Sequence, residues 1–186
     1  LRGDQVTTLL HELGAEVIED HTHDPWSSWA GSSTADYCVV SLRKTLPVPD
    51  GAIVWSPKSH DLPSEVPVTA ERARAVGDKT AAMLLKRLYL EGHAVEKPAF
   101  RRAALEGEEH IASGDVSGAS LVSRAILPAF PVHAWRARRQ ANHALFSRRL
   151  AALERTSILK TQVDGACPLS LILVLSYRER RDMLKQ

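Results

Sequence analysis

Three short stretches of four or five residues that read as strands, at 15–19 around Val17 and Ile18 and at the apolar 37–40 and 52–55, constrain the fold of this chain more than any other feature. Runs this short, rich in Val and Ile, suit strands rather than core helices. Ahead of them, Val6, Leu9, Leu10 and Leu13 recur at helical spacing and Gly14 follows, which predicts a helix over 4–13. In the first strand Val17 and Ile18 are expected inside, with the acidic Glu19 and Asp20 at its carboxyl end. Helix, strand, loop, strand, loop, strand is the rhythm of an α/β sheet covered by helices. Ligands of such sheets gather beyond the carboxyl ends of strands. Asp20 and the stretch from Ser41 to Lys44 both fall there.

The rest of the chain reads as mostly helical. A proline-rich connection, 57–67, leads to a helix over 71–91 whose apolar stripe is Ala75, Met83, Leu84, Leu88 and Leu90. Helices are expected over 99–110 and 121–130, the latter ended by Pro131. A long helix over 133–153 places Trp135, Ala141, Leu145, Phe146, Leu150 and Leu153 three to four residues apart. Strands are expected over 158–163 and 169–176, and a helix from 177 to 186.

Composition narrows the functional classes. With 44% apolar and 25% charged residues in 186, the chain reads as a globular protein. A formal charge of +2 gives no footprint for nucleic acid. The longest apolar run, around Leu171 to Leu175, is far short of a membrane span. Two cysteines, Cys38 and Cys167, make no disulfide framework, and a cytoplasmic location is expected. His21, His23 and Asp24 resemble the opening of a metal-hydrolase site. The histidines at 11, 60, 93, 110, 133 and 143 supply no matching pair, so no metal is expected.

Lys44 and Asp20 are the residues most suited to chemistry. A lysine forms imines only from its deprotonated form, which desolvation or a neighbouring cation favours. Lys44 follows a strand, near Ser41 and Thr45 and ahead of a loop stiffened by Pro47 and Pro49. Taken alone it reads as a solvated loop charge. Asp20, after two β-branched residues, is expected to be partly buried and therefore paired. A pyridinium N–H is one such partner, and backbone N–H groups of a loop are another.

Read together, Val17-Ile18-Glu19-Asp20-His21-Thr22-His23 and the segment from Asp36 through Ser41, Leu42, Arg43, Lys44, Thr45, Leu46, Pro47, Val48, Pro49 and Asp50 to Gly51 carry a resemblance. The pair resembles the cofactor half of fold-type I pyridoxal-phosphate enzymes. The nearest likeness is to the DegT/DnrJ/EryC1/StrS aminotransferases, with class V features. The resemblance implies a cofactor, pyridoxal 5'-phosphate, bound by Asp20, His23, Ser41 and Lys44. Asp20 would bond the pyridine nitrogen, His23 would lie by the phenolic oxygen, and Ser41 would join the phosphate cup. Lys44 would hold the cofactor as a Schiff base and then shuttle the substrate proton, so Lys44 and Asp20 are the catalytic pair. The chain departs from the desulfurase pattern in Arg43, where that group has His, and from the sugar aminotransferases in Ala52 after Gly51.

The implied activity is transfer of an amino group from a small-molecule donor to a keto or aldehyde acceptor, with a homodimer as the implied assembly. A lyase or desulfurase of the class V type, and a non-catalytic domain of the same fold, are the alternatives. The implied architecture is α/β. Residues 1–132 would form the carboxyl-terminal portion of a large domain with a mostly parallel sheet. Residues 133–186 would form a linking helix and the start of a small α+β domain. Family chains begin far upstream with a phosphate-gripping turn, so this chain is expected to be the middle and late part of one about twice as long. Without that part it need not be active alone.

Overall fold

The computed structural model describes residues 3–114, 116–151, 157–158 and 166–174. The chain divides into two compact units: Leu1–Thr22 with Thr34–Phe130, and His23–Ser33 with Pro131–Gln186. A single boundary at 132/133 was the expectation; the observed division also gives His23–Ser33 to the later unit.

The first unit opens with helix α1, Gly3–Glu12. It ends as Gly14 turns to φ +77° and Ala15 N donates back to Leu10 O at 3.0 Å. Strand β1 is Ile18–Asp20, β2 is Tyr37–Ser41 and β3 is Ala52–Trp55, in the sheet order β1-β2-β3. β1 and β2 are parallel, with Ile18 opposite Tyr37 and Asp20 opposite Val39. β2 and β3 are antiparallel, with Ser41 opposite Ala52. The fold is thus α/β with a small mixed sheet, where a mostly parallel one was expected. Connection length accounts for the mixture. The ten residues 42–51 are too few for a crossover, whereas the sixteen residues 21–36 are enough.

Strand parity corrects two expectations. Val17 is buried but Ile18 is 66% exposed, because successive strand residues face opposite sides. For the same reason Glu19 is the buried acid of the pair and Asp20 is exposed, not partly buried. Val17, Ala35 and Cys38 form the core on the covered face, with Leu10 and Trp55 packed against them.

Two helices form an antiparallel hairpin, α3 (Ala70–Leu90) and α4 (Lys97–Ser113). Thr69 caps α3 by accepting from Arg72 N at 3.1 Å. The buried face of α3 is Ala75, Val76 and Ala82, while Leu84, Leu88 and Leu90 of the expected stripe are exposed. Small residues let the two helices approach closely. A Cβ on Gly107 would lie 2.7 Å from Lys79 Cγ and 3.1 Å from Ala75 O. That approach brings Lys79 of α3 beside Glu108 of α4.

A short helix, α5 (Leu121–Ile126), is capped by Ser120 and followed by a 3-10 turn, Leu127–Ala129. The second unit contains α2 (Ser28–Gly31), α6 (Val132–Ala151), and an antiparallel pair of two-residue strands, β4 (Ser157–Ile158) and β5 (Leu173–Val174). Asp24 receives Arg136 on one carboxylate oxygen and the Cys167 N–H, at 2.7 Å, on the other. Burial pushes the Cys167 thiol up, with Asp24 adding to the rise against the opposing charges of Arg139 and Arg136. Arg139 stacks 4.5 Å over the Trp135 ring. The helix expected over 177–186, and most of the strand expected over 158–163, lie outside the described residues. No described helix is long and apolar enough to cross a membrane.

Candidate functional site

The carboxyl ends of β1 and β2 lie side by side because these strands are parallel. Asp20 ends β1, and Ser41 ends β2 and enters a 3-10 turn, Leu42–Lys44. Asp20, opposite Val39, is on the same sheet face as Ser41, two residues further along β2. Asp20 Oδ1 accepts the Thr22 N–H at 2.8 Å, a local turn that only Asp, Asn, Ser or Thr can close in this way. Thr22 Oγ1 in turn accepts the Ser41 N–H at 2.8 Å. One threonine therefore links the Asp20 loop to the strand end that carries Lys44. Sequence reading passed over Thr22; the Asp-x-Thr spacing was the available signal.

Lys44 reaches Glu108 Oε1 at 3.5 Å, with its side chain 52% exposed. Arg43 contacts the same oxygen, and Lys79 donates to Glu108 Oε2 at 2.6 Å. Glu108 thus faces three cations. Burial alone would raise its carboxyl, but the Lys79 hydrogen bond and the charges of Lys79, Arg43 and Lys44 outweigh that and hold it below its ordinary value. Lys44 makes the longest and most exposed of the three contacts, so it can leave Glu108 while Arg43 and Lys79 still neutralise the carboxylate. Nothing local in the sequence marks Glu108, which lies 64 residues from Lys44.

The loop after Lys44 is held from beneath. Leu42, Leu46, Val48 and Asp50 are each at most 5% exposed. The Asp50 carboxylate accepts Ser120 N at 3.0 Å, Ser120 Oγ at 2.7 Å and Ser123 Oγ at 2.5 Å. It therefore caps the start of α5 and anchors the segment Pro47 to Gly51 there. Gly51 closes the loop at φ +103°, where Leu42 N donates to its carbonyl at 3.0 Å.

At the opposite end of the same strands Asp36 precedes β2. Its carboxylate accepts Val17 N at 2.7 Å, Lys58 Nζ at 2.7 Å, His11 Nε2 at 2.8 Å and His60 Nε2 at 3.3 Å. Lys58 above all, then the Val17 N–H and His11, hold this carboxyl far below the usual range; burial opposes them and His60 adds a smaller push. The cluster fastens α1, β1 and the segment after β3 to the start of β2.

Of the expected site residues, Asp20, Ser41 and Lys44 belong to the first unit. The parallel pairing brings Asp20 and Ser41 to one end of one sheet, with Lys44 in the turn that follows. His23 is exposed and belongs to the second unit, whereas His21 is buried in the first. The two histidines of the metal-hydrolase pattern therefore fall in different units. No family model matches the chain, and comparison with curated proteins and with solved structures gives no match.

Proposed function

We propose that this chain is a pyridoxal-phosphate-dependent aminotransferase, or the part of one that carries the cofactor lysine. The observation that supports it is the placement of an exposed carboxylate, Asp20, and an amine-bearing turn, Leu42–Lys44, at the same carboxyl edge of a parallel strand pair, bridged by Thr22. The donor set suits the cofactor. A carboxylate can hold the proton of a pyridine nitrogen, and an amine with one long, exposed ion pair can reach an aldehyde. The finer assignment, to the large-domain sheet of the fold-type I enzymes, belongs to the same proposal, as does the homodimer.

When bound, the cofactor supplies an electron sink for the substrate α-carbon. In this reading the chain does the rest. Asp20 keeps the ring nitrogen protonated, and the Thr22 N–H fixes its carboxylate orientation. Lys44 would hold the cofactor through its amine and, when displaced by substrate, would move the α-proton, for which the amine must be neutral. Before the cofactor is attached Lys44 pairs with Glu108, and Arg43 and Lys79 still balance Glu108 once Lys44 has left it. Ser41 offers its hydroxyl at the strand end, and His23 is the residue the resemblance assigns to the phenolic oxygen. Asp50 acts indirectly by fixing the loop that follows Lys44.

The test is a half-reaction. The chain is mixed with pyridoxal phosphate and freed of excess, and amino donors are then added while the absorbance of the bound aldehyde form is followed. An aminotransferase loses that absorbance to the amine form, releases one keto acid per cofactor, and fails in both Lys44→Ala and Asp20→Ala. Ammonia or sulfide release would favour the lyase alternative, and absence of any bound chromophore would favour the non-catalytic one.

A further inference from the structure

We propose that Glu19, His21 and Cys38 form a binding site for a divalent cation of the zinc class, within the first unit and separate from the Asp20–Lys44 edge. Glu19 and Cys38 stand directly opposite one another on the parallel strands β1 and β2. His21 follows Glu19 by two residues and so returns to the same face of the sheet. One donor atom from each of the three lies within 4.8 Å of the others, and it is the one such group of His, Cys, Asp or Glu among the described residues. All three side chains are buried, at no more than 8% exposure.

The chemistry of the set selects the ion. One thiolate, one imidazole and one carboxylate match the ligands of Zn²⁺, whereas Ca²⁺ and Mg²⁺ call for several oxygens. Two donors of one tetrahedral zinc ion sit about 3.5 Å apart, as bond lengths of about 2.0–2.3 Å require. Glu19 Oε2 and His21 Nε2 are already 3.0 Å apart, so closing the set on an ion needs side-chain movements of about 1 Å. Charge also balances: a carboxylate, a thiolate and a neutral imidazole together offset a dication. On binding, the Cys38 thiol releases its proton to solvent and its sulfur bonds the metal, while the proton of the Glu19–His21 hydrogen bond moves to His21 Nδ1, so that Glu19 Oε2 and His21 Nε2 are free to bond the metal. Thr7 donates to Glu19 Oε1 at 2.7 Å, the kind of outer partner that fixes a ligand carboxylate. Trp55, with its ring 5.5 Å from that of His21, bounds the site on the β3 side.

Two other clusters are excluded as competing cation sites by their occupants. Asp36 is already engaged by Lys58, His11 and His60, and the buried Asp50 accepts from Ser120 and Ser123. Sequence reading missed the proposed set because its ligands lie on two strands, with Glu19 sharing a β1 end with Asp20 and Cys38 read only as an apolar strand residue.

The experiment is a Co²⁺ titration of the metal-free, cofactor-free 186-residue chain. One equivalent should produce a thiolate-to-cobalt charge-transfer band in the near ultraviolet and the intense visible bands of a tetrahedral ion, and one equivalent of Zn²⁺ should abolish both. Only two cysteines exist, so Cys167→Ser assigns the thiolate without disturbing the site: the bands should survive it. They should disappear in Cys38→Ser, and His21→Gln should weaken binding at least about tenfold. The proposal is overturned by uptake below one equivalent, by the pale octahedral spectrum of a site without sulfur, or by bands that vanish in Cys167→Ser. In any of those cases Glu19 and His21 form a hydrogen-bonded pair only. The proposal does not rest on the cofactor reading, and its failure leaves that reading untouched.

Discussion

Asp36 and Asp20 mark the two ends of one parallel strand pair, and the molecule treats them in opposite ways. Asp36, at the entry to β2, is buried and receives one backbone and three side-chain donors. Asp20, at the exit of β1, is exposed and takes a local backbone N–H from Thr22. The lysines differ in parallel. Lys58 donates to Asp36 at 2.7 Å, whereas Lys44 stands 3.5 Å from Glu108. A carboxylate engaged by several donors holds segments together; one that faces solvent at a strand end can meet a ligand. One end is a fastening and the other is a place for chemistry.

The contrast can be broken most forcefully at the fastened end. Asp36→Ala should lower the denaturant midpoint of unfolding more than Asp50→Ala, Glu108→Gln or Asp20→Ala, since it leaves the buried Val17 N–H and the three side-chain donors without their acceptor. Asp20→Ala should stay within about 0.5 kcal/mol of the parent, as exposed positions usually do. Comparable losses at Asp36 and Asp20 would refute the contrast. Asp50→Ala comes next. Removing a buried acceptor of two hydroxyls and an N–H should cost about 3 kcal/mol and loosen the 42–51 loop, visible as faster amide exchange there.

The pH dependence of stability sharpens the same comparison. The Asp36 carboxyl titrates below its ordinary value of about 3.8 in the folded chain. Protonation therefore favours the unfolded state, so its contribution is present above about pH 4 and falls away as the pH drops below that. Asp36→Asn should flatten the acid limb of a stability–pH profile, and an unchanged limb would argue against this role. Glu108→Gln should cost less than about 1 kcal/mol, because its ion pairs are partly solvated. It should also raise the extent of cofactor labelling at Lys44 by removing the carboxylate that holds it. The smallest effect is expected from His60→Ala. This partner is 43% exposed on its side chain and 3.3 Å from Asp36, so a few tenths of a kcal/mol is the expected loss.

Helices and strands were legible in this sequence wherever the signal is local. The helix expected over 71–91 is Ala70–Leu90, and that over 133–153 is Val132–Ala151 as far as the described residues reach. The strand at 52–55 is Ala52–Trp55. What could not be read depends on partners distant in sequence. Leu84, Leu88 and Leu90 look like a core stripe, yet Ala75, Val76 and Ala82 are buried because the close helix hairpin favours small residues. Strand parity decided whether Glu19 or Asp20 turned inward, and a pattern of two apolar residues followed by two acids does not set that parity. Asp20, Ser41 and Lys44 stood out because each sits at or just past a strand end; Thr22, Asp36 and Glu108 gain their roles only from contacts across the fold.

The most direct test of the contrast is a map of where pyridoxal phosphate attaches. The chain would be treated with a slight excess of the cofactor, reduced with borohydride, digested, and its lysine peptides quantified by mass spectrometry. The account predicts label concentrated on Lys44, little on Lys58, and loss of the Lys44 label in Asp20→Ala. Label spread evenly over the lysines, or greater on Lys58 than on Lys44, would contradict it.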